Sequence, residues 1–157
     1  MPKQSAPSLM GRALRYLSRR EHSRQELRKK LLPYAESEDE LDELIQKLIQ
    51  QSWLSDQRYA EGLVRRKSER YGSLKIVEEL KQQGINGASL SELKEGLRHS
   101  DAHRAWYLWQ RKFTEGPSKD PKERSKQMRY LVAKGFPMEV VTRVVTGRYI
   151  PDDGQAE

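Results

Sequence analysis

Apolar residues recur along this chain at the spacing of a helix. Leu14 and Leu17 lie about one turn apart, as do Leu27 and Leu31. Leu41, Leu44, Ile45 and Leu48 form a stripe at helical period, and Tyr59, Ala60, Leu63 and Val64 form another. Val77 with Leu80, Leu90 with Leu93 and Leu97, Trp106 with Trp109 and Phe113, and Met128 with Leu131 continue the pattern. Met138 to Val145 is rich in β-branched residues, which suits a strand. Its sparse turn signals and helical neighbours favour a helix instead.

The polar punctuation agrees. Ser23 followed by Glu26 reads as a capping box that opens a second helix, and Pro33 ends it. Ser55-Asp56 can cap the helix that follows. Tyr71-Gly72-Ser73 breaks that helix and starts another. Gly84 and Gly135 read as glycines just past helix C-termini. Pro137 falls near the first turn of the last helix, where proline is tolerated. Thr114 to Pro121 is the plainest loop.

About nine short helices result, so internal repeats are the next question. A shift of 46 positions superimposes Arg12, Arg58 and Arg104, then Leu17, Leu63 and Trp109, then Arg19, Arg65 and Arg111. Arg20, Arg66 and Lys112 follow. Val77, Leu80, Gly84 and Ile85 parallel Met128, Leu131, Gly135 and Phe136. In the first unit Leu27 and Leu31 take the middle-helix part, but Pro33-Tyr34 replaces the glycine. The expected fold is all-α: three tandem three-helix repeats, 10–54, 55–98 and 99–148, in an elongated, curved array. Residues 1–9 and 149–157 are expected to be flexible tails. One such repeat is too small to stand alone, so neighbours must cover each other.

Composition fits several thin layers better than one thick core, with 35% of the 157 residues hydrophobic and 34% charged. Thirty Lys and Arg against 23 Asp and Glu leave a net charge of +7, which favours nucleic acid, an anionic membrane surface or an acidic protein face. No apolar run reaches the length of a membrane span, and the first residues lack the apolar core of a secretion signal. With no cysteine, disulfides and thiolate metal sites are excluded, which fits a cytoplasmic protein.

The recurring arginine pair is the sharpest chemical feature. Arg12 and Arg19, Arg58 and Arg65, and Arg104 and Arg111 are each seven residues apart, close to two helical turns, so both members share a face. Arg58 and Arg65 fall opposite Tyr59, Ala60 and Leu63; Arg104 and Arg111 fall opposite Trp106, Trp109 and Phe113. A guanidinium suits phosphate and carboxylate alike. These six, with Arg66, Arg70 and Lys112, are the candidate contacts to a partner. A plain solvated face is the competing reading, since exposed charges are usually energetically quiet. The acidic run of Glu36, Glu38, Asp39, Glu40, Asp42 and Glu43 fits helix capping and solubility, with docking of a basic partner as the alternative. Trp106 and Trp109 belong to the apolar face, and Tyr107 lies off it, where it is the better candidate for stacking on bases. Trp53, before Leu54, reads as a hydrophobic anchor between units.

Catalysis finds little support. His99 and His103 have metal-ligand spacing on a helix, but no third ligand accompanies them. No phosphate-binding glycine loop and no nucleophile turn is present. No enzyme, cofactor or metal is expected.

The chain resembles the bacterial RecX regulatory proteins. The resemblance rests on Ser23-Arg24-Gln25-Glu26-Leu27 with Lys30-Leu31, and on Trp53-Leu54-Ser55-Asp56 with Arg58-Tyr59-Ala60. Tyr71-Gly72, Ile76, Glu79-Leu80, Lys81 and Gly84-Ile85 continue it, and Arg129-Tyr130-Leu131 with Lys134-Gly135-Phe136 closes it. It spans roughly Leu14 to Val145 and is more specific in the first two units. Ser55, where many members carry a second aspartate, and Pro33-Tyr34, where a glycine is common, depart from the pattern. Glu26, Leu27, Leu54, Asp56, Tyr59, Gly72, Leu80 and Gly84 are the residues that carry the motif. The resemblance implies three tandem three-helix repeats that bind the RecA recombinase, mostly as its filament on single-stranded DNA. It implies inhibition of the filament's recombinase, ATPase and coprotease activities, and so a part in DNA repair and the SOS response. Some members of the family also bind DNA directly. A monomer is expected. The alternative is a general helical nucleic-acid-binding protein acting through basic helix faces.

Overall fold

The computed structural model describes residues 6–152, all of whose regular elements are helical. They are α1 (Leu9–Arg19), α2 (Arg24–Leu31), a 3-10 turn (Leu32–Tyr34), α3 (Glu38–Gln50), α4 (Asp56–Lys67), α5 (Ser73–Gln82), α6 (Gly87–Lys112), α7 (Pro121–Ala133) and α8 (Met138–Val145). The strand alternative for the last run is thereby excluded. The tails expected to be flexible lie partly outside the described residues. Within them, Tyr149 packs against the core beside α8 and donates its N–H to the Arg143 carbonyl.

The sequence signals act locally as expected, with informative exceptions. Ser8, Ser23 and Ser37 each accept a backbone N–H at the start of α1, α2 and α3. At Ser37 the capping box is complete in spirit: Glu40 donates its N–H to Ser37 and its carboxylate accepts from Glu36 N at 2.9 Å. Glu26 instead turns its carboxylate to Arg20, at 2.6 Å. Ser55 caps α4 through Arg58 N, whereas Asp56 reaches out and accepts the N–H of Arg24 at 2.7 Å. Of the pair expected to cap α4, Ser55 does so, while Asp56 caps the start of α2.

The chain forms two compact units. One ends at Gly62 and takes in Gln82–Ile85; the other holds Leu63–Lys81 and everything from Asn86 on. In the first, α1 packs on α2 and α2 on α3. Ala13, Leu27, Leu31, Leu41, Leu44, Ile45, Leu48 and Leu54 are buried together there. In the second, α6, α7 and α8 pack on one another. They bury Ala105, Trp109, Leu131, Phe136, Val141, Val144 and Val145. Trp109 donates its indole N–H to Gln127 Oε1 at 2.8 Å, which satisfies the polar atom that burial would otherwise strand.

One expectation fails for a physical reason. Trp53 is not an anchor, being 48% exposed. The turn after α3 places Ser52 at φ 63° and sends Trp53 outward and Leu54 inward, and Leu54 does the anchoring. The join expected between 98 and 99 lies within α6, a single helix of 26 residues. No glycine or proline interrupts Leu97 to Lys112, and Leu97, Asp101, Ala105 and Trp109 form one buried row at four-residue spacing.

Candidate interaction surface

The recurring arginines do not share one fate. Arg104 was expected on an exposed face, and the structure corrects this. Its side chain is only 14% exposed and lies 2.6 Å from the carboxylate of Asp101, itself buried. It also donates to the carbonyls of Ser68, Tyr71 and Leu97 and to the Ser100 hydroxyl. Burial pulls this guanidinium below its ordinary pKa, against the opposing pull of Asp101. Asp101 in turn accepts the backbone N–H of Ser73 at 3.0 Å and the Ser73 hydroxyl, capping α5.

Arg58 occupies the matching register and does related work. Its Nε donates to Glu21 Oε1 at 3.0 Å, in the α1–α2 connection, just as Arg104 reaches the α4–α5 connection. Asp56 and Asp101 likewise each cap the middle helix of the preceding repeat. The junction glycines repeat as well. Gly84 packs against Gln25, whose amide donates to the Gln82 carbonyl, and Gly135 packs against Lys75. Gly72 N donates to the Lys134 carbonyl at 2.8 Å, and Leu74 N to the Gly135 carbonyl at 2.9 Å. The first arginine of each later pair is therefore a strut between consecutive repeats. The guanidinium of Arg12 instead lies over the Tyr34 ring at 3.8 Å.

The second members are different. Arg19, Arg65 and Arg111 are all exposed, as are Arg66, Arg70 and Lys112. Among the described residues the guanidiniums of Arg19, Arg65, Arg66 and Arg70 have no ion-pair or hydrogen-bond partner. Arg111 lies 5.3 Å from the ring of Tyr107, which is 47% exposed and off the apolar face as expected. The acidic run on α3 is partly neutralised by Arg28, which meets Asp42 at 3.0 Å and Glu38 at 3.5 Å. His99 and His103 are both exposed, and His103 Nδ1 lies 3.2 Å from the Tyr149 hydroxyl.

Lysines gather on two tyrosine rings in a second basic surface, of which only Lys112 was among the candidate contacts. The Tyr71 ring is approached by the ammonium groups of Lys75 at 4.6 Å, Lys67 at 5.4 Å and Lys134 at 5.6 Å. Lys134 is equally close to the Tyr130 ring, which Lys112 also approaches at 5.7 Å. Tyr71, Tyr130 and Lys134 belong to stretches that carry the family resemblance, but periodicity gave no sign that the two stretches meet.

Of the motif residues, Leu27, Leu54, Tyr59, Gly72 and Leu80 are buried, and Gly84 has a φ of 85°, so their part is in the fold.

The comparisons with known proteins follow the same division. The models of the first, second and third three-helix domains of RecX match residues 10–48, 55–90 and 100–145. A "Regulatory protein RecX" from Ralstonia pickettii is 46% identical over 147 residues, covering 94% of this chain and 91% of the relative. Relatives of the same name from Herbaspirillum seropedicae and Neisseria meningitidis serogroup B are 42% and 39% identical, covering 93% and 96% of this chain and 94% and 95% of their own. The crystal structure of RecX from Lactobacillus salivarius has the same fold, with a TM-score of 0.75 at 23% identity, over 88% of this chain and 93% of that one. All three domains, in order and over most of the length, place this chain in the RecX family of regulatory proteins.

Proposed function

We propose that this chain is a cytoplasmic, non-enzymatic regulator that binds the RecA filament on single-stranded DNA and inhibits its recombinase, ATPase and coprotease activities. It would thereby modulate DNA repair and the SOS response. The observation that carries the reading is the exposed set Arg19, Arg65 and Arg111, one in the same register of each repeat, on a chain of the RecX family. In this reading the repeats 10–54, 55–98 and 99–148 each offer one such face, flanked by Arg66, Arg70 or Lys112. Contacts that are weak singly gain by being joined on one chain, because each later one forms at high effective concentration. Inhibition is steric: the bound protein bridges neighbouring filament subunits and occupies space that a second DNA strand needs. No cofactor takes part, and a monomer is sufficient.

The test is RecA ATP hydrolysis on single-stranded DNA, with and without this protein. Inhibition at or below stoichiometric amounts is expected, and undiminished hydrolysis would refute the proposal. A second reading, direct nucleic-acid binding without a protein partner, draws on the net charge of +7 and on the lysines around Tyr71 and Tyr130. A salt series separates the two. A filament-specific protein binds RecA–DNA far better than bare DNA. A plain nucleic-acid binder needs no RecA and weakens steeply as salt rises.

A further inference from the structure

Two junctions of this chain follow one plan and are finished differently. At each, the start of a middle helix abuts a glycine just past a helix end: Gln25 at Gly84, and Lys75 at Gly135. The residue before each abutting side chain, and those three before and three after each glycine, correspond by position. Around Gly84 they are Arg24, Lys81 and Gly87; around Gly135 they are Leu74, Val132 and Met138. The last three are 53%, 43% and 56% exposed. The fold does not require apolar side chains at these positions, because its own other copy carries charged and small ones. Exposed apolar residues gathered in one place, unlike scattered ones, mark a contact surface.

The three are gathered. Leu74 N donates to the Gly135 carbonyl at 2.9 Å and Gly135 N to the Val132 carbonyl at 3.0 Å, while Met138 opens α8 just beyond. The charge around this turn is positive. Lys75 and Lys134 both approach the Tyr71 ring, at 4.6 Å and 5.6 Å, and among the described residues neither has a carboxylate partner. The stretches 71–77 and 132–138 contain no Asp or Glu.

We infer that the Gly135 turn docks a polypeptide segment of another protein in which carboxylates stand beside a large apolar side chain. An apolar centre with a polar, charged rim is the anatomy of a protein interface. Carboxylates complement the two unpaired lysines, and the apolar side chain covers Leu74, Val132 and Met138. A second copy of this chain fits poorly, since two-fold pairing sets the same lysines against each other on molecules of charge +7. Nucleic acid fits poorly too. Phosphates suit the lysines, but bases stack on aromatic faces, and the three exposed side chains are aliphatic. The surface does not draw on Arg19, Arg65 or Arg111, so it lies beyond the recombinase reading.

The experiment measures, by fluorescence anisotropy, binding of short labelled peptides to the full chain without RecA. One peptide is a run of aspartates ending in phenylalanine and leucine. A second is aspartate throughout, and a third keeps the apolar end but replaces aspartate by asparagine. The variants transplant the first junction onto the second, which the fold already accepts there: L74R/V132K copies Arg24 and Lys81, and K75Q/K134Q copies Gln25 and Gln83. Each is measured below its own melting transition. The wild type should bind the first peptide at least about fivefold more tightly than either of the others. L74R/V132K should bind it at least about fivefold more weakly despite its added positive charge, since the apolar contact is lost. K75Q/K134Q should weaken binding similarly and flatten its salt dependence. Absence of wild-type binding, equal binding of the all-aspartate peptide, or tighter binding by L74R/V132K overturns the inference. Displacement of the peptide by oligothymidylate at equal charge would assign the face to nucleic acid. A dimer in sedimentation that L74R/V132K dissociates would assign it to a second copy. Either result also overturns the inference, and with RecA absent none of them decides the recombinase reading.

Discussion

Asp101 caps a helix to which it does not belong: its carboxylate accepts both the backbone N–H and the hydroxyl of Ser73 at the start of α5. The same carboxylate neutralises Arg104, so one buried acid ties α6 to α5 and to the carbonyls of the preceding connection. Breaking such a pair from one side strands a charge. Asp101→Ala should cost about 3–5 kcal/mol. Ser73→Ala, which leaves the N–H cap in place, should cost about 1 kcal/mol. Urea denaturation of the two variants checks the order.

The two arginines of the third repeat should separate stability from binding. Arg104→Ala should lower the melting temperature sharply, because Asp101 and the carbonyls of Ser68, Tyr71 and Leu97 lose their donor. Arg65→Ala and Arg111→Ala should stay within about 0.5 kcal/mol of the parent, as exposed substitutions usually do. If the recombinase proposal holds, the double variant R65A/R111A should need more protein for the same inhibition of RecA ATP hydrolysis. An unchanged inhibition curve would remove these faces from the contact.

Glycine substitutions should divide by surroundings. A Cβ on Gly72 would overlap the Gly135 carbonyl, and one on Gly135 would press into Lys75 at a φ of 98°. Alanine at either position should destabilise by more than about 1 kcal/mol, since backbone and not a flexible tip must move. Gly96 meets nothing within 4 Å on α6, so Gly96→Ala should stabilise by about 0.5–1 kcal/mol. Thermal melts of the three variants suffice.

His22 gives a pH signature. Its Nδ1 lies 3.0 Å from the Arg20 carbonyl and its Nε2 2.9 Å from Lys30 Nζ, so neutral imidazole with the proton on Nδ1 satisfies both. Burial lowers its proton affinity from the ordinary 6.5, and the charges of Arg20 and Lys30 lower it further. The unfolded chain then binds the extra proton more readily. Stability should fall as pH drops through about 6.5 toward the lower folded value. Glu26 titrates in a separate window: burial pushes its carboxyl up, but Arg20 holds it below its ordinary 4.5. Melting temperatures between pH of about 7.5 and about 5.5 should fall in the parent and change less in His22→Gln.

The helices were legible because periodicity and capping are local. Ser23, Ser37 and Gly135 do what their types announce. The arginine register was legible too, but not its division of labour. Arg104 and Arg111 are equivalent on a helical wheel. What separates them is Asp101 beside one and the α4–α5 connection packed over it, which are facts of tertiary structure. Trp53 and Leu54 show the same limit: a single residue at positive φ, Ser52, decides which of two apolar neighbours goes inside. The join expected between 98 and 99 came from repeat arithmetic, whereas the continuity of α6 across it is local, with no stop signal after Gly96.

That unbroken α6 also constrains how such a chain can change over generations. Units joined by a loop tolerate insertions at the join, since a lengthened loop costs little. Units that share a helix do not. One added residue between Leu97 and Trp109 would turn everything beyond it by about 100° and advance it by about 1.5 Å, carrying Arg111 off its bearing and the α7–α8 pair out of register. Length drift should therefore collect in the Thr114–Pro121 loop, while the span from Leu97 to Trp109 keeps its count of residues even where its letters vary.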